Sequence, residues 1–187
     1  MRKSEVFILK LIGKKVIIRD WTKEDLDSYR HWNTGTHLWM HFDGPYYPKM
    51  TPEQLEITIN KISSNKEQKK RFVIAELESN LFIGTISWYW QSQESNWKSI
   101  GLTIYDENNW GKGFGYDSLK LWVSHLFQTD NKLIRLDLRT WSGHKGMIKL
   151  AQKLDFREEA RFRKARVVNG KYYDSIGMGI LKKDWKF

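Results

Sequence analysis

Between Ile104 and Tyr116 the chain leaves itself little conformational freedom. The run Ile104-Tyr105-Asp106-Glu107-Asn108-Asn109-Trp110-Gly111-Lys112-Gly113-Phe114-Gly115-Tyr116 starts as a strand and carries glycine at three alternate positions. Leu119, Trp122 and Leu126 follow at helical spacing. Glycine allows close approach to the backbone and turns that point successive N–H groups into one concavity. The helix start adds its unpaired N–H groups and the positive end of its dipole. A strand, glycine turn and helix in this order can hold a phosphate or pyrophosphate. A Walker loop would need a Gly-Lys-Ser/Thr ending, and the dinucleotide fingerprint a glycine where Tyr116 stands, so both nucleotide loops weaken. On local pattern alone, a turn that binds nothing stays open.

The flanking sequence supplies the elements around this turn. Lys15–Arg19 reads as a strand, followed by Thr22 as N-cap with Asp25 three residues on. Thr51, Pro52 and Gln54 form a second start signal, with Leu55, Ile59 and Ile62 on one face. Phe72–Leu77 and Leu81–Trp90 read as a hairpin, Ile100–Tyr105 as the strand entering the glycine turn, and Leu133–Thr140 as the next strand. Met147, Leu150, Ala151 and Leu154 mark a short helix, and Glu159–Val168 and Tyr172–Leu181 flank Asn169-Gly170, a strong hairpin signal. The order βααβββαβαββ predicts a mixed sheet with helices on both faces.

A chain of 187 residues without an internal linker fits a single domain. Having no cysteine excludes disulfides, thiolate metal sites and a cysteinyl intermediate. Met1-Arg2-Lys3 and Val6-Phe7-Ile8-Leu9 have the outline of a secretory signal, but Lys10, Gly13, Lys14 and Lys15 cut the apolar run short. No stretch approaches the ~20 apolar residues of a membrane span. The expected compartment is the cytoplasm. The formal net charge of +10, with modest clusters at Lys66–Arg71 and Arg157–Arg166, fits a solvated basic surface or an anion-binding face.

From about Lys14 to Trp185 the sequence resembles the GCN5-related N-acetyltransferase (GNAT) superfamily, and within it the ribosomal-protein N-terminal acetyltransferase branch. That family's pyrophosphate loop, Gln/Arg-x-x-Gly-x-Gly/Ala, maps onto Trp110-Gly111-Lys112-Gly113-Phe114-Gly115, with Trp110 at the Gln/Arg position. Trp141-Ser142-Gly143-His144 through Lys153-Leu154-Asp155-Phe156 matches the strand and helix that follow, and the tail around Asn169–Asp174 with Met178 looks like the same branch. The resemblance implies an α/β (α+β) GNAT fold: a mixed, mostly antiparallel sheet of about seven strands, helices on both faces. Residues 1–13 would be an N-terminal extension and 14–187 one N-acetyltransferase domain. It also implies acetyl-CoA as co-substrate, no metal, and direct acetyl transfer to an amine, the favoured acceptor being a protein or peptide N-terminal α-amine. A membrane partner is not expected, nucleic acid is disfavoured, and a homodimer stays open.

The pantetheine arm would pair with the backbone of Leu102, Thr103 and Ile104, where one N–H could polarise the thioester carbonyl. The pyrophosphate would take N–H groups from Gly111, Lys112, Gly113, Phe114 and Gly115, with Lys112 and Lys145 screening its charge. His144 replaces the family's CoA-contacting Asn; its ring could bond the pantetheine or a phosphate, or stand at the surface as a helix cap. The usual acid and base positions hold Ala151 and Ser99, so no proton-transfer residue is assigned. Asp106 and Glu107 beside the glycine turn, and Tyr172 on the tail strand, are candidates against plainer readings as solvated carboxylates and a packed ring. Trp32, Trp39, Phe42, Tyr46 and Tyr47 surround the loop expected to shape the acceptor site, and Trp88 and Trp90 could wall it or pack in the core. Asp43, Glu53 and Glu56 hint at the acidic pocket that a small cationic amine would need. A nucleic-acid or ribosome-binding module and a non-catalytic CoA-binding protein are the remaining readings.

Overall fold

The computed structural model describes residues 9–64 and 70–187. Of the features read above, Met1–Lys3, the apolar residues 6–8 and residues 66–69 of the basic cluster lie outside the described residues. The elements are β1 (Lys10–Ile12), β2 (Val16–Arg19), α1 (Lys23–Asn33), α2 (Pro52–Ser63), β3 (Arg71–Glu76), β4 (Phe82–Ser92), β5 (Trp97–Ile104), α3 (Phe114–Thr129), β6 (Arg135–Trp141), α4 (Lys145–Lys153), β7 (Arg157–Val168) and β8 (Lys171–Leu181). They form one eight-stranded sheet in the order β1-β2-β3-β4-β5-β6-β8-β7. Every pairing is antiparallel except β5 with β6. The expected mixed, mostly antiparallel sheet is present with one strand more than the sequence indicated. The addition is β1, which pairs Lys10–Ile12 with Ile17–Arg19 inside the stretch read as an extension. Three residues are too few to display a period-two pattern, and the edge of β2 supplies what their sequence does not.

Both helix start signals operate locally. Thr22 Oγ1 accepts from Asp25 N and Asp25 Oδ2 from Thr22 N, a capping box with aspartate as the third helical residue. Thr51 and Gln54 exchange the same pair of bonds at α2. Asp25 also receives both terminal nitrogens of Arg19 at 2.5 and 3.1 Å, which fixes the end of β2 to the start of α1 in a largely buried ion pair. Asn169 and Gly170 have φ of 49° and 73°, the left-handed pair that a two-residue hairpin turn needs between β7 and β8.

Helices cover the two faces of the sheet separately. The apolar stripe of α3 (Leu119, Trp122, Leu126), Ala151 of α4 and Leu154 just after it bury against Val16, Ile18, Ile74, Ile86 and Leu136. On the other face, Tyr29 of α1 and Leu55 and Ile59 of α2 enclose Tyr105. Trp88 and Trp90 belong to the α3 side, where the buried Lys98 ammonium lies 4.4 and 4.6 Å from their ring centres and bonds Asp130 at 2.7 Å. They therefore serve the core, the second of their two readings.

The sheet is interrupted at one place. β5 and β6 pair only at Trp97↔Arg135, Lys98↔Leu136 and Ser99↔Asp137. Beyond Ser99, β5 continues against β4 while β6 continues against β8. The two strands part, and the gap between them sets the site.

Candidate active site: two cavities meeting where the sheet opens

On the α3/α4 side of the gap lies a cavity of about 570 Å³ lined by β5, the glycine turn, the start of α3 and one face of α4. Gly111 and Gly113 have φ of +73° and +92°, and Gly113 is the N-cap of α3. Among the described residues, the N–H groups of Gly111 through Tyr116 have no acceptor. The turn therefore offers a row of unsatisfied donors at the positive end of a four-turn helix, an arrangement that suits a pyrophosphate. Gly115 is bare for a second reason. A Cβ there would meet Leu150 at 3.4 Å and Leu102 at 4.0 Å, which narrows the cavity. Lys15 Nζ donates to the Lys112 carbonyl, and Asp117 Oδ2 accepts from Lys15 N and Val16 N, so β2 holds the turn in place.

β5 offers a further set of donors. Tyr105 N bonds Ile83 O across to β4. Antiparallel alternation then points the amides of Thr103 and Gly101 toward β4 and those of Ile104, Leu102 and Ile100 into the gap. An extended ligand arm can pair there as a missing strand.

On the α1/α2 side lies a cavity of about 620 Å³. Its walls come from the loop after α1 (Trp39, Phe42, Asp43, Tyr46, Tyr47), from Ser87, Tyr89 and Gln91 of β4, and from Arg139 and Trp141 of β6. The loop is clamped to both parted strands. Thr103 Oγ1 donates to Asp43 at 2.7 Å and Trp141 Nε1 donates to the Phe42 carbonyl at 2.8 Å. The cavities share Trp39, Phe42, Asp43, Leu102, Thr103, His144 and Met147.

A matching family description decides what this arrangement belongs to: the Acetyltransferase (GNAT) domain model matches residues 15–157. The chain belongs to the GNAT acetyltransferase family. It is an acetyl-CoA-dependent acyltransferase. The SPbeta prophage-derived N-acetyltransferase YokL of Bacillus subtilis is 22% identical over 174 residues, covering 93% of this chain and 94% of that protein. The fold is shared with the ribosomal-protein-S5-alanine acetyltransferase of Vibrio fischeri, at TM-score 0.75 and 18% identity over 96% of this chain and all of that one (100%). It is shared equally with the spermidine N-acetyltransferase of Vibrio cholerae in complex with CoA and spermine, at TM-score 0.75, 20% identity, 90% of this chain and 96% of that one.

The acetyltransferase distributes its sequence-read residues unevenly. Leu102, Thr103, Ile104, Trp110, Gly111, Gly113, Gly115 and His144 line the cavity on the α3/α4 side. The N–H groups of Lys112 and Phe114 belong to the free row, while the Phe114 ring turns into the core, the Lys112 carbonyl accepts from Lys15, and Lys145 is exposed outside the lining. Trp110 Nε1 bonds the Ile104 carbonyl and its ring meets Phe42 edge-on, joining the turn to β5 and to the loop. Ser99 is fully buried and donates to Asp137 directly across the β5–β6 pairing. Ala151 is fully buried in the core. Among the described residues no group of three or more His, Cys, Asp or Glu could hold a metal ion, and no helix is long and apolar enough to cross a membrane.

Asp106, Glu107 and Tyr172 line neither cavity. Asp106 caps the short turn through Asn108 N at 2.8 Å, and Tyr172 stands 67% exposed on the terminal hairpin. Asp106→Asn, Glu107→Gln and Tyr172→Phe should each lower kcat by well under the roughly hundredfold that loss of a general acid or base brings. Steady-state kinetics of the three variants check this, and a thousandfold loss in any one would return that residue to the chemistry.

Sequence reasoning named the residues at the junction without joining them. His144 was read as a CoA contact or a surface residue capping a helix; it stands between the cavities with its ring 5.6 Å from Phe42. Its ring makes no hydrogen bond to a described residue. Burial pushes its pKa below the ordinary histidine value of 6.5, against the opposing charge of Asp43, so the ring is neutral at neutral pH. Burial also raises the Tyr105 phenol well above its usual value, which keeps it protonated beside Thr85.

Proposed function

We propose that this acetyltransferase acts in the cytoplasm on the α-amine of a peptide or protein N-terminus, with His144 as its base. The observation that carries the reading is a neutral, unbonded imidazole where the donor and acceptor cavities join. The donor's thioester supplies an activated acetyl group. His144 first takes a proton from the bound ammonium; the freed amine then bonds to the acetyl carbon, the C–S bond breaks, the departing thiolate takes up the proton that the new amide nitrogen loses, and His144 releases its own to water. The amides of Leu102 and Ile104 face the gap, where they can stabilise charge on the acetyl oxygen.

The acceptor class rests on charge and proton chemistry. Relatives of this fold include enzymes named for spermidine and for a ribosomal protein, so the lining of this chain has to discriminate. Of the acidic residues hinting at a cation pocket, Asp43 alone lines the acceptor cavity, while Glu56 is bonded to Arg30 and Glu53 lies exposed in the first turn of α2. Arg71, Arg139 and Arg166 line the same cavity and oppose a polycation. An α-amine, with a pKa of about 7.7–8.0, is partly deprotonated at neutral pH, whereas a lysine-type amine near 10.4 needs roughly 3 kcal/mol more. Peptides with free N-termini, N-blocked lysine peptides and spermidine, offered in competition with acetyl-CoA, should be used in that order of kcat/KM. A higher specificity constant for spermidine overturns the assignment.

A further inference from the structure

We infer that the acceptor carries a carboxylate close to its reacting amine, received by Arg166 and Arg71; the inference rests on the α-amine reading above. The arginines of the acceptor cavity are not equivalent. Arg139 is neutralised by Asp137, which is itself buried and accepts its Nε at 3.2 Å. Outside the cavity, Arg161 is taken up by Glu158 and Asp174, and Arg135 by Glu159. Arg71 and Arg166 line the cavity and, among the described residues, have no carboxylate partner.

Each is nevertheless held in place. The Arg166 guanidinium lies 4.5 Å from the centre of the Tyr46 ring and 5.8 Å from that of Tyr47, while its Nε is buried and donates to nothing. Stacking fixes the plane of a guanidinium and leaves its N–H fork available for a two-pronged carboxylate bond. Arg71 donates one Nη1 bond to the Tyr29 hydroxyl at 2.7 Å, which anchors it to α1 and leaves its other donors free. Both cations line one cavity without a carboxylate partner among the described residues, and a bound carboxylate offsets that charge. Among the described residues Asp43 is the one carboxylate in the lining; it bonds Thr103 of β5 and lies beside His144 where the two cavities join, whereas Arg71 and Arg166 stand on β3 and β7. An ammonium can be drawn toward Asp43 and His144, and a carboxylate on the same molecule toward Arg166 and Arg71.

Two sources of that carboxylate exist: an acidic side chain within the first residues of a peptide, or the α-carboxylate of a free amino acid. Matched pairs separate them. C-terminally amidated peptides beginning Ser-Asp and Ser-Asn form one pair, serine and serinamide the other, with spermidine as the cationic control. For each acceptor, kcat/KM is measured by CoA release and the dissociation constant by calorimetry on the CoA complex. The acid should be preferred to its neutral partner roughly tenfold in at least one pair, the scale of a hydrogen bond to a charged group. That ratio should fall toward one in Arg166→Gln and Arg71→Gln, whose CoA affinity stays at the wild-type value because neither residue lines the donor cavity. Preference in the peptide pair assigns the side chain. Preference confined to serine keeps the inference and overturns the peptide acceptor. Equal constants for acid and amide in both pairs overturn the inference while leaving acetyl transfer to peptides intact. If no acceptor is turned over, the dissociation constants decide, and acids bound no more tightly than amides overturn it.

Discussion

His144→Gln should lower kcat about tenfold at pH 7 and about a hundredfold at pH 6, the factors by which a free α-amine is scarce there. The loss should depend on pH in a definite direction. In the parent enzyme burial holds the imidazole pKa below 6.5, so the base remains neutral and kcat stays flat from pH 8 down past that value. The variant has only acceptor that is already deprotonated, so its kcat should fall about tenfold per pH unit below the α-amine pKa of about 7.7–8.0. Above that pKa the two profiles converge, because a free amine needs no base. A pH–kcat profile of both proteins from pH 5.5 to 9.5 checks this. Curves that stay parallel, with one constant ratio at every pH, would mean that His144 shapes the cavity and takes no proton.

The second large effect is on the donor side. Gly115→Val should raise the acetyl-CoA dissociation constant by roughly 30-fold or more, about 2 kcal/mol, while the free protein melts near its original temperature. The fold tolerates the change because Gly115 lies inside the first turn of α3 without the positive φ of Gly111 and Gly113. The cavity does not tolerate it, since the new Cβ already touches Leu150 and Leu102 and the branched methyls must occupy space between β5 and α4. Acetyl-CoA at ~100 times its normal dissociation constant should stabilise the parent by about 2.7 kcal/mol and the variant by less than about 1 kcal/mol. A thermal-shift titration reads both. Undiminished stabilisation of the folded variant by acetyl-CoA would remove the glycine turn from the donor site.

The parts of this molecule that were legible in its sequence are those fixed by neighbours along the chain. Capping boxes, the Asn169-Gly170 turn, the stripe of α3 and the glycine turn all depend on residues within a few positions of each other. What stayed hidden is held by distant pairs. The bonds that close the loop over the gap, Thr103 to Asp43 and Trp141 to Phe42, span 60 and 99 positions. His144 could be placed beside the donor by resemblance, but its place in the acceptor wall depends on that loop. Arg71 and Arg166 could be read only as members of two separate basic clusters, and Arg139 drew no reading, since one lies on β3, one on β7 and one on β6, and only the folded sheet brings them to one cavity. Asp137 was invisible for a related reason, because it stands opposite Ser99 across the single parallel pairing.

That pairing ends early, and its brevity governs traffic through the enzyme. A sheet normally acts as a wall between the layers packed on its two sides. Here β5 and β6 leave an open seam, and the two cavities approach it from opposite sides. On the proposed assignment, spent CoA would lie with α3 and α4 and the acetylated chain with α1 and α2. Neither has to pass the other to reach water, so a bulky acceptor can depart by its own door while the carrier still occupies the glycine turn.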